Sequence, residues 1–342
     1  MNNFHRDISK FSANIGKDRL LVQGSGGNIS WKDGNILWIK GSGAWLANAD
    51  KEDIFVPVDL KHLQDALMKK QFDIKPQLMP LQGGRQLRPS IETILHALMP
   101  QKIVLHLHAV NILSYLVIKD CEKLFKRIMA SSPDAHLIDS ILVDYHKPGS
   151  ELAQAVQRNL IKGASINVAF LKNHGIVVGA DSIHEIYALL SSINKIFISK
   201  QNPQTPTQTI VTQVITPRGY IPFLNDGGDA IALNQNLYRR LQSDWALFPD
   251  HVVFLGPKAF TFDSWAAFLM EKIDCDPEII FIKNSGVFIK PTFNDAKRAQ
   301  LLCYFDVMSR IANDAVLDSL DAFSVSALLN WDAEQYRVHL AK

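Results

Sequence analysis

The run Lys102-Ile103-Val104-Leu105-His106-Leu107-His108 reads as a buried strand that ends in His-Leu-His. Successive side chains of an extended chain leave opposite faces, so His106 and His108, two apart, leave the same one. Burying two uncompensated imidazoles beside Ile103, Val104 and Leu105 is costly, and shared ligation of a metal ion removes that cost. A His-x-His pair alone is a modest signal, because paired strand histidines are often polar edge residues.

Downstream, residues 166–171 and 176–178 are strand-like around the tight turn Lys172-Asn173-His174-Gly175. That turn can deliver His174 from the next strand as a third ligand. Three histidines leave a coordination position open, the catalytic rather than structural pattern. Upstream, Pro89 and Ser90 offer a start for a helix over residues 91–98, with Glu92 on its first turn. A carboxylate there can serve as a general base or exchangeable ligand, or merely complement the helix dipole. His96 is expected to pack or hydrogen-bond, and His146 and His184 stand in a loop and at a helix start.

Further toward the N-terminus, residues 29–32 and 35–40 flank Asp33-Gly34, a two-residue hairpin signal. Gly24-Ser25-Gly26-Gly27-Asn28 and Lys40-Gly41-Ser42-Gly43 offer backbone N–H groups, hydroxyls and one cation, an anion cradle in composition. Ile29 stands where a G-x-G-x-x-G fingerprint needs its third glycine, and neither loop fits the Walker pattern. Helical spacing over residues 4–17, 60–69, 111–118, 150–161 and 183–199 alternates with the strands. That alternation argues an α/β layered domain.

The chain has 342 residues, 47% hydrophobic and 20% charged, with 36 basic against 34 acidic side chains. A net charge of +2 provides no global field for nucleic acid or an acidic membrane surface. Cys121, Cys275 and Cys303 are far apart and odd in number, against a disulfide framework or a zinc ribbon. With no apolar leader and no run of about 18 apolar residues, a soluble, cytoplasmic protein is expected, partnered by neither nucleic acid nor membrane.

Residues 201–219 are rich in Pro, Thr and Gln and read as a linker between a domain over 1–200 and a smaller α/β domain over 220–342. Phe170-Leu171-Lys172-Asn173-His174-Gly175-Ile176-Val177 is echoed by Phe281-Ile282-Lys283-Asn284-Ser285-Gly286-Val287-Phe288. Residues 250–255, read as a strand, loosely echo residues 101–105. The second half is therefore a candidate degenerate partial copy, without metal ligands.

Taken in order, Gly27-Asn28-Ile29-Ser30, Lys40-Gly41-Ser42-Gly43, Arg88-Pro89-Ser90-Ile91-Glu92, His106-Leu107-His108-Ala109, Tyr145 with Lys147-Pro148-Gly149, and Lys172-Asn173-His174-Gly175 resemble the class II aldolase/adducin family. The spelling is similar to the aldolase part of long microbial rhamnulose-phosphate aldolase-like proteins, over roughly residues 10–200. The resemblance implies a three-layer α/β/α fold and a homo-oligomer, usually a tetramer. It implies His106, His108 and His174 as ligands of a divalent metal, generally Zn2+, and Glu92 as the catalytic carboxylate. It also implies Gly27, Asn28, Ser42, Gly43 and Ser90 as the holders of a substrate phosphate.

The reaction so implied is the cleavage of a carbon–carbon bond in a sugar phosphate or related hydroxy-carbonyl compound, through a metal-stabilised enediolate. A decarboxylase or 4-epimerase on the same scaffold, and a non-catalytic adducin-like interaction module, are the alternatives. Two departures bear on the substrate. Ile91 stands where many sugar-phosphate aldolases carry a second serine, and the tyrosine acid of some members has no clear counterpart, Tyr115 lying too early and Tyr145 fitting the loop.

Overall fold

The computed structural model describes residues 3–80, 87–160, 166–198, 217–224 and 227–341. The His-Leu-His run forms strand Ile103–Leu107 in a seven-stranded sheet. In chain order its strands are β1 (Asn28–Asp33), β2 (Ile36–Lys40), β3 (Phe55–Asp59), β4 (Ile103–Leu107), β5 (Ser140–Val143), β6 (Val168–Leu171) and β7 (Gly175–Ala180). Their spatial order is β3-β2-β1-β4-β7-β6-β5, antiparallel except for β5 beside β6. The β1–β2 hairpin turns one residue later than Asp33-Gly34 predicts, because Asp33 itself pairs with Ile36.

Alternation along the strands splits the core into two layers. Ile103, Leu105 and Leu107 point with Phe170, Ile176 and Val178 toward the helices Asn3–Gly16, Val110–Leu116 and Ile183–Ile196. Val104 points the other way with Ala169 and Val177, toward Leu60–Met68, Thr93–Leu98 and Ser150–Leu160. Helices cover both faces, as a mixed α/β layered fold requires. His106 shares the face of Val104, and in the register it lies opposite Asn28 of β1 and Val177 of β7.

After residue 217 the chain builds a second, four-stranded sheet from β8 (Ile221–Pro222), β9 (Thr261–Phe262), β10 (Ile279–Ile282) and β11 (Gly286–Ile289). Its order, β8-β11-β10-β9, runs antiparallel, antiparallel, parallel. The half-sheet β4-β7-β6-β5 has the same pattern of directions. Asn173 and Asn284 both adopt positive φ, at 54° and 56°, in the two echoed hairpins.

The other echo is corrected. Residues 250–255 belong to the helix Pro249–Leu255, not to a strand. Pro249 opens the helix with a preset φ and Gly256, at φ 86°, follows its end, the usual asymmetry of helix punctuation. The β-branched pair Val252-Val253 favours a strand reading, but tertiary burial of Val252 and Phe254 overrides it. Of the expected linker, residues 201–216 lie outside the described residues, and Pro217–Gly219 forms a short 3₁₀ turn.

The helix Val110–Leu116 joins the two parts. It buries Ile112 and Leu116 in the first core, and Val110 and Leu113 in a second core with Phe248, Val252, Leu301 and Tyr304. The helix that follows the His-Leu-His strand is thus apolar on two faces, and the second part docks directly beside the histidines.

Candidate active site

The strand end, the β6–β7 turn and the helix start at Thr93 converge on one buried cluster. Ligand atoms of His106, His108 and His174 all lie within 4.8 Å of one another, a grouping that could hold a metal ion. His106 Nε2 is 3.1 Å from His108 Nε2. His106 Nδ1 lies 2.9 Å from the Ile176 carbonyl oxygen. A carbonyl can only accept, so Nδ1 carries the proton and the Nε2 lone pair faces the cluster. Burial pushes His108 and His174 down to about 3, keeping both imidazoles neutral and their lone pairs available.

Glu92 stands at the N-cap of Thr93–Leu98, where its side chain makes no capping bond and turns inward. Its carboxylate oxygens lie 3.5 Å from His106 Nε2 and 3.6 Å from His174 Nε2. Asn28 Nδ2 donates to Glu92 Oε2 at 2.7 Å and to Ser90 Oγ at 3.2 Å. Burial works to raise the Glu92 carboxyl, but His106, His174, Asn28 and Arg337 outweigh it and hold it below its usual range. Buried Glu92 Oε1, His174 Nδ1, Asn28 Oδ1 and Ser25 Oγ have no hydrogen-bond partner among the described residues. Such orphaned polar atoms are expensive unless a ligand or ion satisfies them, so the donor set fits a divalent metal and a polar substrate.

Apart from His106, every candidate residue borders one small cavity of about 30 Å³: Gly27, Asn28, Ser42, Gly43, Ser90, Glu92, His108 and His174. Ile91 borders it too. Lys40, the cation of the expected anion cradle, borders the cavity as well, and three further charged groups go unseen in the sequence reading. Lys40 Nζ donates to the Ser25 and Ala44 carbonyls, at 2.9 and 2.6 Å, and burial first, Arg337 second, lower it to about 7. Asp250, Glu334 and Arg337 enter from beyond residue 217. Arg337 Nη1 and Nη2 donate to Asp250 Oδ1 and Oδ2 at 2.8 and 3.0 Å, and Nη1 also to Glu334 Oε2 at 2.8 Å. A charged residue inside the apolar run around Asp250, and Glu334 and Arg337 at helical i,i+3 spacing, are the only traces of this cluster in the sequence.

His96 Nδ1 pairs with Ser30 Oγ at 2.8 Å in the core, as expected of a packing histidine. His146 and His184 do not border the cavity.

The model of the Class II Aldolase and Adducin N-terminal domain family matches residues 6–197. No curated protein matches the chain. Among solved structures, the N-terminal class II aldolase domain of a conserved protein from Thermoplasma acidophilum shares 25% identity over 55% of this chain and 89% of that one, with a TM-score of 0.45. Sugar-phosphate aldolase from Thermotoga maritima shares 16% over 56% and 90%, at 0.44. L-fuculose-1-phosphate aldolase from Thermus thermophilus shares 17% over 55% and 90%, at 0.35. The family match spans more than half of the chain and contains all three histidines and Glu92, and the chain belongs to the class II aldolase and adducin family.

Proposed function

We propose that the chain is a metal-dependent aldolase-type lyase that cleaves a carbon–carbon bond in a sugar phosphate or related hydroxy-carbonyl compound. The observation that carries this reading is the buried His106, His108 and His174 cluster with the Glu92 carboxylate 3.5 and 3.6 Å from two of its rings. His106, His108 and His174 would hold a divalent metal, Zn2+ by preference of three imidazoles. When bound, it supplies a Lewis acid that polarises the substrate carbonyl and offsets negative charge on its oxygen.

The chain's own residues do the rest. Glu92 is the catalytic base and acid: it is held ionised, and its unpartnered Oε1 moves the proton at the carbon next to the carbonyl. Asn28 fixes the other carboxylate oxygen, so the proton acceptor is oriented before substrate arrives. Gly27, Asn28, Ser42, Gly43 and Ser90 anchor the substrate phosphate, with Lys40 behind them. The helix Asp332–Leu340 borders the cavity through Glu334 and Arg337, and we read it as the element whose displacement would widen the entrance for substrate.

Ile91 at the cavity favours a second reading on the same scaffold, a decarboxylase or 4-epimerase whose substrate lacks a phosphate. We also read residues 220–342 as a degenerate partial copy of the first domain, on the shared strand pattern, and the protein as a cytoplasmic homo-oligomer. No helix among the described residues is long and apolar enough to cross a membrane.

The test is metal content of protein purified without chelator, beside a His106→Ala/His108→Ala variant, followed by a screen of ketose phosphates and their unphosphorylated forms for cleavage. About one metal per chain that the variant loses, together with aldehyde release, supports the lyase. Absence of stoichiometric metal even after reconstitution overturns it and leaves the adducin-like binding module.

A further inference from the structure

A ligating imidazole needs its outer nitrogen held as well as its inner one, because the outer partner sets both tautomer and ring orientation. For His106 that partner is the Ile176 carbonyl. For His108 the group facing Nδ1 is Asp250 Oδ2, at 3.5 Å, an ion-pair distance not yet a formed hydrogen bond. Asp250 lies beyond the family match at residues 6–197, on the helix Pro249–Leu255.

Three observations show that this carboxylate is built into place. Asp250 is 2% exposed and Arg337 8%, and the guanidinium grips both carboxylate oxygens in a parallel fork. Gln300 Nε2 reaches Asp250 Oδ2 at 3.4 Å from the helix Asp295–Met308. On the near side, a Cβ on Gly26 would come within 2.7 Å of Asp250 Oδ2 and 3.0 Å of His108 Nδ1, so the chain passes there only as glycine.

We propose that Asp250 is a positioning residue for the metal site: it holds His108 with Nε2 toward His106 and His174, and Arg337 holds Asp250. The part of the chain beyond residue 217 therefore completes the site of the first part from within the same molecule. This rests on the metal-site reading given above.

The test is the affinity of the full-length protein for Zn2+, by chelator competition, with the visible absorption of the Co2+ form as a measure of ligand geometry. Wild type is compared with Asp250→Asn, His108→Ala and the two combined. Asp250→Asn is expected to weaken Zn2+ about 10–100-fold and to alter the Co2+ spectrum. In the His108→Ala background the same change is expected to cost nothing further, since its target is gone. Because Asp250→Asn strips a buried guanidinium of one partner, Asp250→Asn/Arg337→Gln, which leaves no unpaired guanidinium, is read in the same way. Affinity within twofold of wild type, or an equal loss with and without His108, overturns the proposal. A wild-type protein that binds neither Zn2+ nor Co2+ overturns the metal reading itself, and this proposal with it.

Discussion

Asn173 Nδ2 donates to the Leu247 carbonyl at 2.9 Å, tying the turn that presents His174 to the part of the chain beyond residue 217. The same nitrogen also reaches the Asp318 carbonyl, at 2.5 Å. Asn173 itself sits at φ 54°, a left-handed conformation that asparagine tolerates better than most residues. Asn173→Gly keeps the turn but loses both bonds, and a cost of about 1–3 kcal/mol is expected from the stranded carbonyls. Asn173→Ala adds a left-handed penalty of about 1–2 kcal/mol. Urea unfolding of both variants checks the order, with the alanine variant less stable; equal stability of all three proteins refutes the tie.

Glu92→Gln preserves shape while removing the charge and the proton acceptor. Turnover is expected to fall at least about 10²-fold, with metal content unchanged, because all three imidazoles remain. Steady-state kinetics beside metal analysis of the same preparation checks this. Turnover near wild type removes Glu92 from the reaction.

Gly26→Ala places a methyl against two groups that cannot retreat, the Asp250 carboxylate at 2.7 Å and the His108 ring at 3.0 Å. Overpacking of this kind costs about 1–3 kcal/mol. Thermal melts are expected to show that loss, and Zn2+ affinity is expected to fall with it as the His108 ring is displaced. An alanine variant as stable and as tight as wild type would mean that the loop yields.

His251 lies between Trp245, Phe248 and Tyr304, with ring centroids 4.2, 5.3 and 4.7 Å away. Neither ring nitrogen has a hydrogen-bond partner among the described residues, and burial lowers the imidazole to about 3 from 6.5. The unfolded chain takes up a proton below pH 6.5 while the native one refuses it down to about 3. Stability tied to this residue is therefore complete above pH 6.5 and lost as pH falls through that window. His251→Phe is expected to match or exceed wild type at pH 7, and its advantage should grow between pH 6 and pH 4 in denaturant titrations. A constant difference across that range is the contrary result.

The helix Asp332–Leu340 borders the cavity through Arg337 and Glu334, with Tyr336 under the Arg88 guanidinium at 4.2 Å from its ring centroid and Leu340 against Gly43. If it yields to admit substrate, its amides should exchange with solvent faster than those of the buried helix Asp295–Met308, and a bound substrate analogue should change the rate. Exchange as slow as in Asp295–Met308, unaltered by ligand, would show that entry takes another route.

Short-range patterns account for what was legible from residues alone. A short, near-continuous apolar run marks Ile103–Leu107 as a buried strand, the turn chemistry of Asn173 and Gly175 marks the β6–β7 hairpin, and motif order singles out the three histidines and Glu92. Residues 250–255 misled because Val252-Val253 speaks for a strand locally while Pro249 and Gly256 bracket a helix.

Asp250 and Arg337 were invisible as site residues for a different reason. His108 and Asp250 meet only because the helix Val110–Leu116 buries one face in each core, bringing the second part of the chain down on the histidines. The sequence by itself determined the His-Leu-His strand, the β6–β7 hairpin and the trio of candidate histidines, each set by neighbours a few residues away. Which buried charge lies beside which imidazole was decided by the docking of two cores, where side chains far apart in the chain become neighbours and leave no local period to read.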